Sequence, residues 1–262
     1  MERSLLSMAE DGISLAQGIV PRARIEAVHD SLLEVARFLG VPKDAATTID
    51  SAWNWLCYTN RATAGLLYNA FKRLAAVHQL ACAPELLQLL RHEAGIECPM
   101  LVDINCRIDA FAGDKYLFGW HQDYWFSICS PNAVVMWMPL TDVTADNGGL
   151  DVISNRWTDG RIFRSKPGSK YDSYADAVQL DEAIPDENAI RIMPRASDAL
   201  LFRFSVLHRS APVLAPDRSR FTVQLRFADA TDTDFRNNLY KPGVVTHSNV
   251  DYLAQSGPEL GK

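Results

Sequence analysis

The chain has 262 residues, 48% of them apolar, which is enough to bury a full core, and its formal net charge is -6. With a pI near 5.5, a general affinity for nucleic acid or an anionic membrane is not expected, since both need a basic face. No apolar run approaches the roughly 18 residues of a membrane span, and Met1 to Ile19 carries acidic residues where a signal peptide would be basic, so a soluble, cytoplasmic protein is expected.

In chain order, apolar residues at helical spacing (Ile25, Val28, Leu32, Val35, Leu39) predict an amphipathic helix over Arg22 to Leu39, stopped by Gly40 and Pro42. A second helical region covers Ala62 to Gln79 with Leu67, Phe71, Leu74 and Val77 inward, and a third follows Pro84 to Gly95. The five cysteines (Cys57, Cys82, Cys98, Cys106, Cys129) are odd in number and form no C-x-x-C pair, so zinc ribbons and redox dithiols are not indicated. Most are expected to be buried thiols in a reducing compartment.

After Cys98 the period changes from helical to alternating. Met100, Val102, Ile104, Cys106 and Ile108 take one face of a strand, and Asp103, Asn105, Arg107 and Asp109 the other. Further strands are expected over Tyr116 to Asp123, Ala133 to Leu140, Gly149 to Ser154, Ala189 to Met193, Ala199 to His208 and Arg220 to Phe227. Many short strands without intervening helices favour an antiparallel sandwich or barrel over a doubly wound sheet. The connection from Asn155 to about Glu187 is long and polar, with Arg161, Arg164, Lys166, Lys170, Tyr171 and Tyr174; it reads equally as a lid or as a solvated loop. Its basic residues either favour an anionic substrate or are simply solvated. The division expected is a single domain, 1–262: a helical buttress over about 1–97, a core over 98–228 and an irregular extension over 229–262.

In Gly119-Trp120-His121-Gln122-Asp123, a strand period of two puts the imidazole of His121 and the carboxylate of Asp123 on one face. His208, closing the apolar run Ala199 to Leu207, offers a third ligand, although alone it reads as a core or turn histidine. Two histidines and one carboxylate that leave open positions form the arrangement associated with non-haem Fe(II) oxygenases, unlike a closed structural zinc site. Arg220 opens an alternating strand that it shares with Thr222, Gln224 and Arg226, where its planar fork suits a carboxylate or, equally, solvent. The aromatic pair Tyr124 and Trp125 beside the metal segment fits either a substrate pocket or core packing.

The run Trp120-His-Gln-Asp-Tyr-Trp125, then Val135 to Val143 with Asp146-Asn-Gly-Gly-Leu150, then Ser197 to Phe202, His208-Arg-Ser-Ala-Pro212 and Arg220 to Phe227, resembles the phytanoyl-CoA dioxygenase family, over about residues 100 to 228. The resemblance implies a mainly β fold with α elements: a double-stranded β-helix, the jelly-roll or cupin-like core, with N-terminal helices packed on one sheet. It implies a dioxygenase that hydroxylates a small molecule with Fe(II), 2-oxoglutarate as cosubstrate and O2. Carried over by position, His121, Asp123 and His208 match the iron ligands and Arg220 the partner of the distal carboxylate of 2-oxoglutarate. Ser210 matches a residue that assists it. Asn105 and Trp137 fall where similar proteins contact 2-oxoglutarate, and Arg107 where they contact substrate. Asp123 is present, so the vacant ligand position of related halogenases is not expected.

The chain departs from the family's pattern in having Ile153-Ser-Asn-Arg-Trp157 where a Pro-Gly-Ser-His turn is usual, and Ser197-Asp198 where Gly-Asp is usual. It also offers Arg218 as a competitor for the role of Arg220. The alternatives are a non-catalytic metal-binding jelly-roll and a zinc-dependent hydrolase. The hydrolase would want a general base beside the metal, and no Glu in the motif supplies one.

Overall fold

The computed structural model describes residues 6–111, 117–127, 129–167, 178–184 and 186–241. The elements run β1 (Ile13–Ala16), α1 (Arg22–Phe38), α2 (Ile49–Thr59), α3 (Arg61–Phe71), α4 (Ala75–Ala81), α5 (Pro84–Ala94), β2 (Pro99–Ala110), β3 (Val134–Pro139), β4 (Leu150–Ile153), β5 (Ser165–Pro167), β6 (Val178–Leu180), β7 (Ile190–Ile192), β8 (Ala199–Arg203), β9 (Leu207–Ser210), β10 (Ser219–Asp229) and α6 (Thr233–Asn237). All strand pairs are antiparallel. A five-stranded sheet in the order β1-β8-β3-β10-β2 faces a three-stranded sheet in the order β7-β4-β9, and β5 and β6 pair apart from both. This is a mostly β jelly-roll with helices, and it does not close into a barrel.

Each face of the large sheet has its own core. Alternation along β10 sends Phe221, Val223, Leu225 and Phe227 to one side, where they meet Leu67, Phe71, Val77 and Leu86 from the helices. Trp137, Val135, Leu200 and Phe202 point to the other side and meet Leu150, Val152 and Ile192 of the small sheet. The polar face of β2 and β10 also points there: Thr222 pairs with Arg107, Gln224 with Asn105 and Arg226 with Asp103. A strand face rich in charge is thereby turned into the interior, where every charge needs a partner.

The helices form where local signals allow. At the start of α2 the Thr48 hydroxyl accepts from the Ser51 N–H at 3.1 Å, and the Ser51 hydroxyl accepts from the Thr48 N–H at 3.0 Å, a reciprocal cap. Asn60 ends α2 and caps α3 by accepting from the Thr63 N–H at 3.2 Å. Pro84 opens α5, and Gly95, at φ 66°, closes it in the left-handed conformation. Among the described residues no helix is long and apolar enough to cross a membrane.

Several expectations are corrected. The first third is not wholly helical: β1 pairs with β8 at the sheet edge. The second helical region is two helices, α3 and α4, and α2 precedes them. Tyr116 to Asp123 is not a strand; Tyr116 lies outside the described residues, His121 makes one isolated bridge and Asp123 begins a short 3-10 turn to Trp125. The run Ala199 to His208 is broken between β8 and β9, which lie in different sheets. Among its described residues the segment 155–187 contains β5, β6 and two 3-10 turns, while Lys170, Tyr171 and Tyr174 lie outside the described residues.

The cysteines are less buried than expected, with Cys82 and Cys98 exposed, Cys57 half-buried and only Cys106 and Cys129 enclosed. Burial pushes the thiols of Cys106 and Cys129 up to about 12. An aromatic disulfide reagent at pH 8 is therefore expected to titrate Cys82 and Cys98 quickly and Cys106 and Cys129 only after unfolding. Five equally fast thiols in the native protein would contradict the packing.

Candidate metal centre

One isolated antiparallel bridge sets the geometry. The His121 N–H donates to the His208 carbonyl at 3.1 Å, and the His208 N–H returns the bond to the His121 carbonyl at 3.0 Å. The two imidazoles therefore stand side by side, with ring centroids 4.1 Å apart. Asp123, two residues on, is turned back by the 3-10 turn so that its Oδ1 lies 3.7 Å from each histidine Nε2. One ligand atom from each of the three residues falls within 4.8 Å of the others. Gln122, between the ligands, points the opposite way, and its amide donates to the Ser205 and Arg161 carbonyls and accepts from the Phe163 N–H, anchoring the segment.

Tautomer and charge suit a metal. The Nδ1 of His121 lies 2.7 Å from the Gly119 carbonyl and that of His208 lies 3.0 Å from the Val206 carbonyl. A carbonyl only accepts, so both Nδ1 atoms carry the proton and both Nε2 atoms present lone pairs toward Asp123. Burial, reinforced by its neighbour His208, lowers the pKa of His121 to about 3; burial also lowers that of His208. Burial works to raise Asp123, but Arg226 and the two histidines outweigh it and bring the carboxyl down to about 2. Neutral imidazoles and an ionised carboxylate are the forms that ligate.

Arg226 belongs to this centre, although its place on the alternating strand announces no such role. Its Nε donates to Asp123 Oδ2 at 2.8 Å and its Nη1 to Asp103 at 3.2 Å, leaving Asp123 Oδ1 for the metal. Arg226→Ala would leave a buried carboxylate without this partner; a loss of about 3 kcal/mol of stability and a ten- to hundredfold weaker Fe(II) affinity are expected. Chemical denaturation and metal titration check both, with Arg226→Lys recovering part of the metal affinity. Unchanged metal affinity in Arg226→Ala would exclude the positioning role.

A cavity of about 800 Å3 opens on the three ligands. Asn105, Arg107, Trp137 and Ser210 line it, as do Phe118, Phe126, Asp109 and Gln224. The Phe118 ring stands 5.1 Å from that of His121 and 5.5 Å from Phe126, and the Arg107 guanidinium lies over its face at 4.9 Å. Tyr124 and Trp125 are packed in the core between the sheets, Trp125 donating to the Phe163 carbonyl, and they do not line the cavity.

Arg220 sits behind the cavity wall and is 1% exposed. Its Nη1 donates to the carbonyls of Asn147 at 3.0 Å, Ala211 at 3.0 Å and Gly149 at 3.4 Å, and its Nη2 to Asp109 at 2.9 Å. The Asn-Gly-Gly turn is shaped for this contact: Gly148 has φ +69°, and a Cβ there would lie 2.8 Å from Nη1 and closer still to the Ala211 and Pro212 carbonyls. Asp109 also accepts from Arg107 at 2.6 Å. Burial works to raise its pKa, and Arg107 and Arg220 overcome this and hold it below the usual carboxylate value. The stabilisation from Asp109 is thus complete above its ordinary range and is lost as pH falls through the lowered folded value. The guanidinium of Arg220 keeps one buried donor, Nε, without a partner. Arg218 is exposed and acts on Asp50 at the surface.

The family model for phytanoyl-CoA dioxygenase (PhyH) matches residues 8–222, which include His121, Asp123, His208 and Arg220. The chain belongs to the phytanoyl-CoA dioxygenase family. Curated protein sequences give no match. Among solved structures, a non-heme monooxygenase, ThoJ, in its apo form aligns with a TM-score of 0.61 at 17% identity, over 87% of this chain and 78% of that one. The epimerase SnoN in complex with Fe3+, alpha ketoglutarate and nogalamycin RO gives 0.56 at 16%, over 88% and 84%. The alpha ketoglutarate dependent carbocyclase SnoK gives 0.58 at 15%, over 94% and 93%. At these identities the likeness establishes a shared fold. Within it, the PhyH-family chain described here holds a His-Asp-His group that fits an iron site. Sequence reading found this triad, whereas Arg226, Asp109, Phe118 and Phe126 became visible only once the strand faces and the turn after Asp123 were in place.

Proposed function

We propose that the chain is an Fe(II)- and 2-oxoglutarate-dependent dioxygenase that hydroxylates a small molecule, with His121, Asp123 and His208 as the iron ligands. The observation that carries the reading is the fixed pair of Nε2 lone pairs facing Asp123 Oδ1 across 3.7 Å at the wall of a cavity. Three protein ligands leave positions for a bidentate keto acid and oxygen. The partnerless Nε of Arg220 gives an independent fit for the keto acid. Nε and Nη2 form one edge of the guanidinium, and that edge is the one a carboxylate grips with two hydrogen bonds. Asp109 occupies half of it, so the distal carboxylate of 2-oxoglutarate would share the fork with Asp109.

Iron so held supplies the oxidising power by which a substrate C–H becomes C–OH while 2-oxoglutarate and O2 become succinate and CO2. The protein's part is placement. Arg226 occupies Asp123 Oδ2 and keeps the carboxylate ionised, the Gly119 and Val206 carbonyls hold the imidazoles in one tautomer, and Ser210 and Asn105 would offer hydrogen bonds inside the cavity near the keto acid. Trp137, Phe118 and Phe126 exclude water from the reacting end. A zinc hydrolase would want a free general base; the cavity's other carboxylates, Asp103 and Asp109, are both engaged by arginines.

The test is succinate formation from 2-oxoglutarate that requires both Fe(II) and O2, followed by mass analysis of the product from candidate substrates. Gain of one oxygen atom marks hydroxylation; loss of two hydrogens or an unchanged mass would place the chemistry with ring closure or epimerisation. No iron-dependent succinate under any substrate would remove the proposal.

A further inference from the structure

The bridge that sets the imidazoles of His121 and His208 side by side has little main-chain support. Its own two backbone hydrogen bonds are 3.1 and 3.0 Å long. The bonds flanking it, from the Ser210 N–H to the Phe118 carbonyl and from the Tyr124 N–H to the Phe204 carbonyl, are both 3.3 Å. Two stretches of chain joined so sparsely fray easily, and fraying would move the imidazoles apart.

Side chains on the other face of the bridge oppose this. In an antiparallel pairing the neighbours of His121 and His208, Trp120 and Arg209, also stand opposite each other, and the strand period turns them away from the imidazoles. The Arg209 guanidinium lies 4.5 Å from the Trp120 ring centroid. One carboxylate ties both residues. Asp186 Oδ1 accepts from the Trp120 indole N–H at 2.9 Å and from Arg209 Nη1 at 3.0 Å, and Oδ2 accepts from Arg209 Nη2 at 3.0 Å.

This clamp is fastened to the small sheet. Asp186 opens the 3-10 turn Asp186–Asn188, which is closed by the Ala189 N–H on the Asp186 carbonyl at 3.0 Å and leads into β7. Arg209 is braced from β4: its Nε donates to Asp151 at 3.1 Å, and Asp151 stands opposite it in the β4–β9 register. Trp120 belongs to no strand of its own and is held by its contacts with Asp186 and Arg209. None of Trp120, Arg209 and Asp186 lines the cavity, so the three act on the metal centre from behind.

We propose that Asp186 is a positioning residue for the metal centre: by gripping Trp120 and Arg209 it keeps the His121–His208 bridge closed and the two Nε2 atoms within reach of one ion. This rests on the iron reading of the site. Asp186 lies near the end of the segment 155–187, and residues near its start are gripped in the same way, since Gln122 donates to the Arg161 carbonyl and Trp125 to the Phe163 carbonyl. The Asp186 end differs in joining the residue before His121 to the residue after His208. A carboxylate suits the task because it takes both arms of the arginine fork while Oδ1 still accepts from the indole.

The experiment compares the full unmodified chain with Asp186→Ala, Asp186→Asn and Glu182→Ala. Glu182 is the control, an exposed carboxylate of the same segment that pairs with Arg161 instead. Amide hydrogen exchange at His121 and His208 is followed in the metal-free protein, and Fe(II) affinity is measured by equilibrium dialysis. In Asp186→Ala exchange at both amides should rise roughly tenfold. Affinity scales with the fraction of chains whose bridge is closed, and it should fall about fivefold. The denaturation midpoint should stay in place, since the Asp186 side chain is 61% exposed. Asp186→Asn keeps one acceptor oxygen and should recover part of both losses, while Glu182→Ala should match the unmodified chain. Unchanged exchange or unchanged affinity in Asp186→Ala, equal losses in Glu182→Ala, or faster exchange over the whole chain with a lowered midpoint would overturn the role. An unmodified chain that binds no Fe(II) would count against the iron reading, and the exchange comparison would still decide whether Asp186 holds the bridge.

Discussion

His208→Ala is expected to lower Fe(II) affinity more than a hundredfold and to eliminate iron-dependent succinate formation. Removing a partner that merely orients a metal ligand already costs ten- to hundredfold, and in the proposed centre His208 would itself be a ligand, one of three residues whose candidate ligand atoms lie within 4.8 Å of one another. The loss cannot be made good locally, because the cavity's other carboxylates, Asp103 and Asp109, are held by Arg226 and by Arg107 and Arg220. His121→Ala should behave alike, since the two residues are exchanged partners in one backbone bridge. That bridge uses main-chain atoms only, so both variants should fold, and circular dichroism should report native secondary structure. Equilibrium dialysis against Fe(II) measures the affinity. Retention of tight binding by either variant would mean that the metal sits elsewhere.

The second large effect belongs to Arg220. Arg220→Ala strands three backbone carbonyls and removes one of the two arginines on Asp109, all in a setting that is almost fully buried. Breaking a buried pair in this way costs about 3–5 kcal/mol of stability, visible as a large fall in the denaturation midpoint. If its Nε and Nη2 edge grips 2-oxoglutarate, the keto acid should also bind about a hundredfold more weakly. The Fe(II) affinity should change little, because Arg226 and not Arg220 contacts Asp123. Arg220→Lys separates the two consequences: a lysine restores charge beside Asp109 and part of the stability, but it lacks the planar fork and should not restore keto-acid binding. Arg218→Ala serves as the control at an exposed site. A keto-acid defect in Arg218→Ala with none in Arg220→Lys would reassign the anchor.

The fold was legible where periodicity was long and unmixed. The alternating faces of Ser219–Asp229 and the apolar stripe of Arg22–Phe38 each carry many residues of one pattern, and each forms as expected; Pro99–Ala110 alternates as expected from Asp103 onward, but a bulge opposite Arg226 and Phe227 turns Met100 and Val102 to the core between the sheets, away from Ile104, Cys106 and Ile108. Short or unpunctuated elements were not. β1 has four residues and is set by pairing with β8, a partner far away in sequence. The corner between β8 and β9 is made by Phe204, Ser205 and Val206, with no Gly or Pro to announce it. It holds because neighbours satisfy its backbone: the Phe204 N–H donates to the Ala133 carbonyl, and the Phe204 carbonyl accepts from Tyr124. The ligand triad was legible as residue types at a spacing, yet for a reason the structure replaces. His121 and Asp123 do not share a pleated face; a bridge to His208 and a tight turn bring them together.

Charged residues on interior strand faces explain the rest. Asp109 and Arg226 follow the alternation that marks Asn105 and Arg220, but a sequence does not say which carboxylate an arginine will meet. Only the register does, by setting Arg220 opposite Asp109 and Arg226 opposite Asp103 on β2.

The central claim is that three side chains hold one ferrous ion and leave adjacent positions for a chelating keto acid. It is tested most directly by anaerobic titration of the metal-free protein with Fe(II) in the presence of 2-oxoglutarate, following the visible metal-to-ligand charge-transfer absorption. The account predicts a band that saturates at one iron per chain and requires the keto acid. No band in the intact protein, or a band of undiminished intensity in Asp123→Ala, would contradict it.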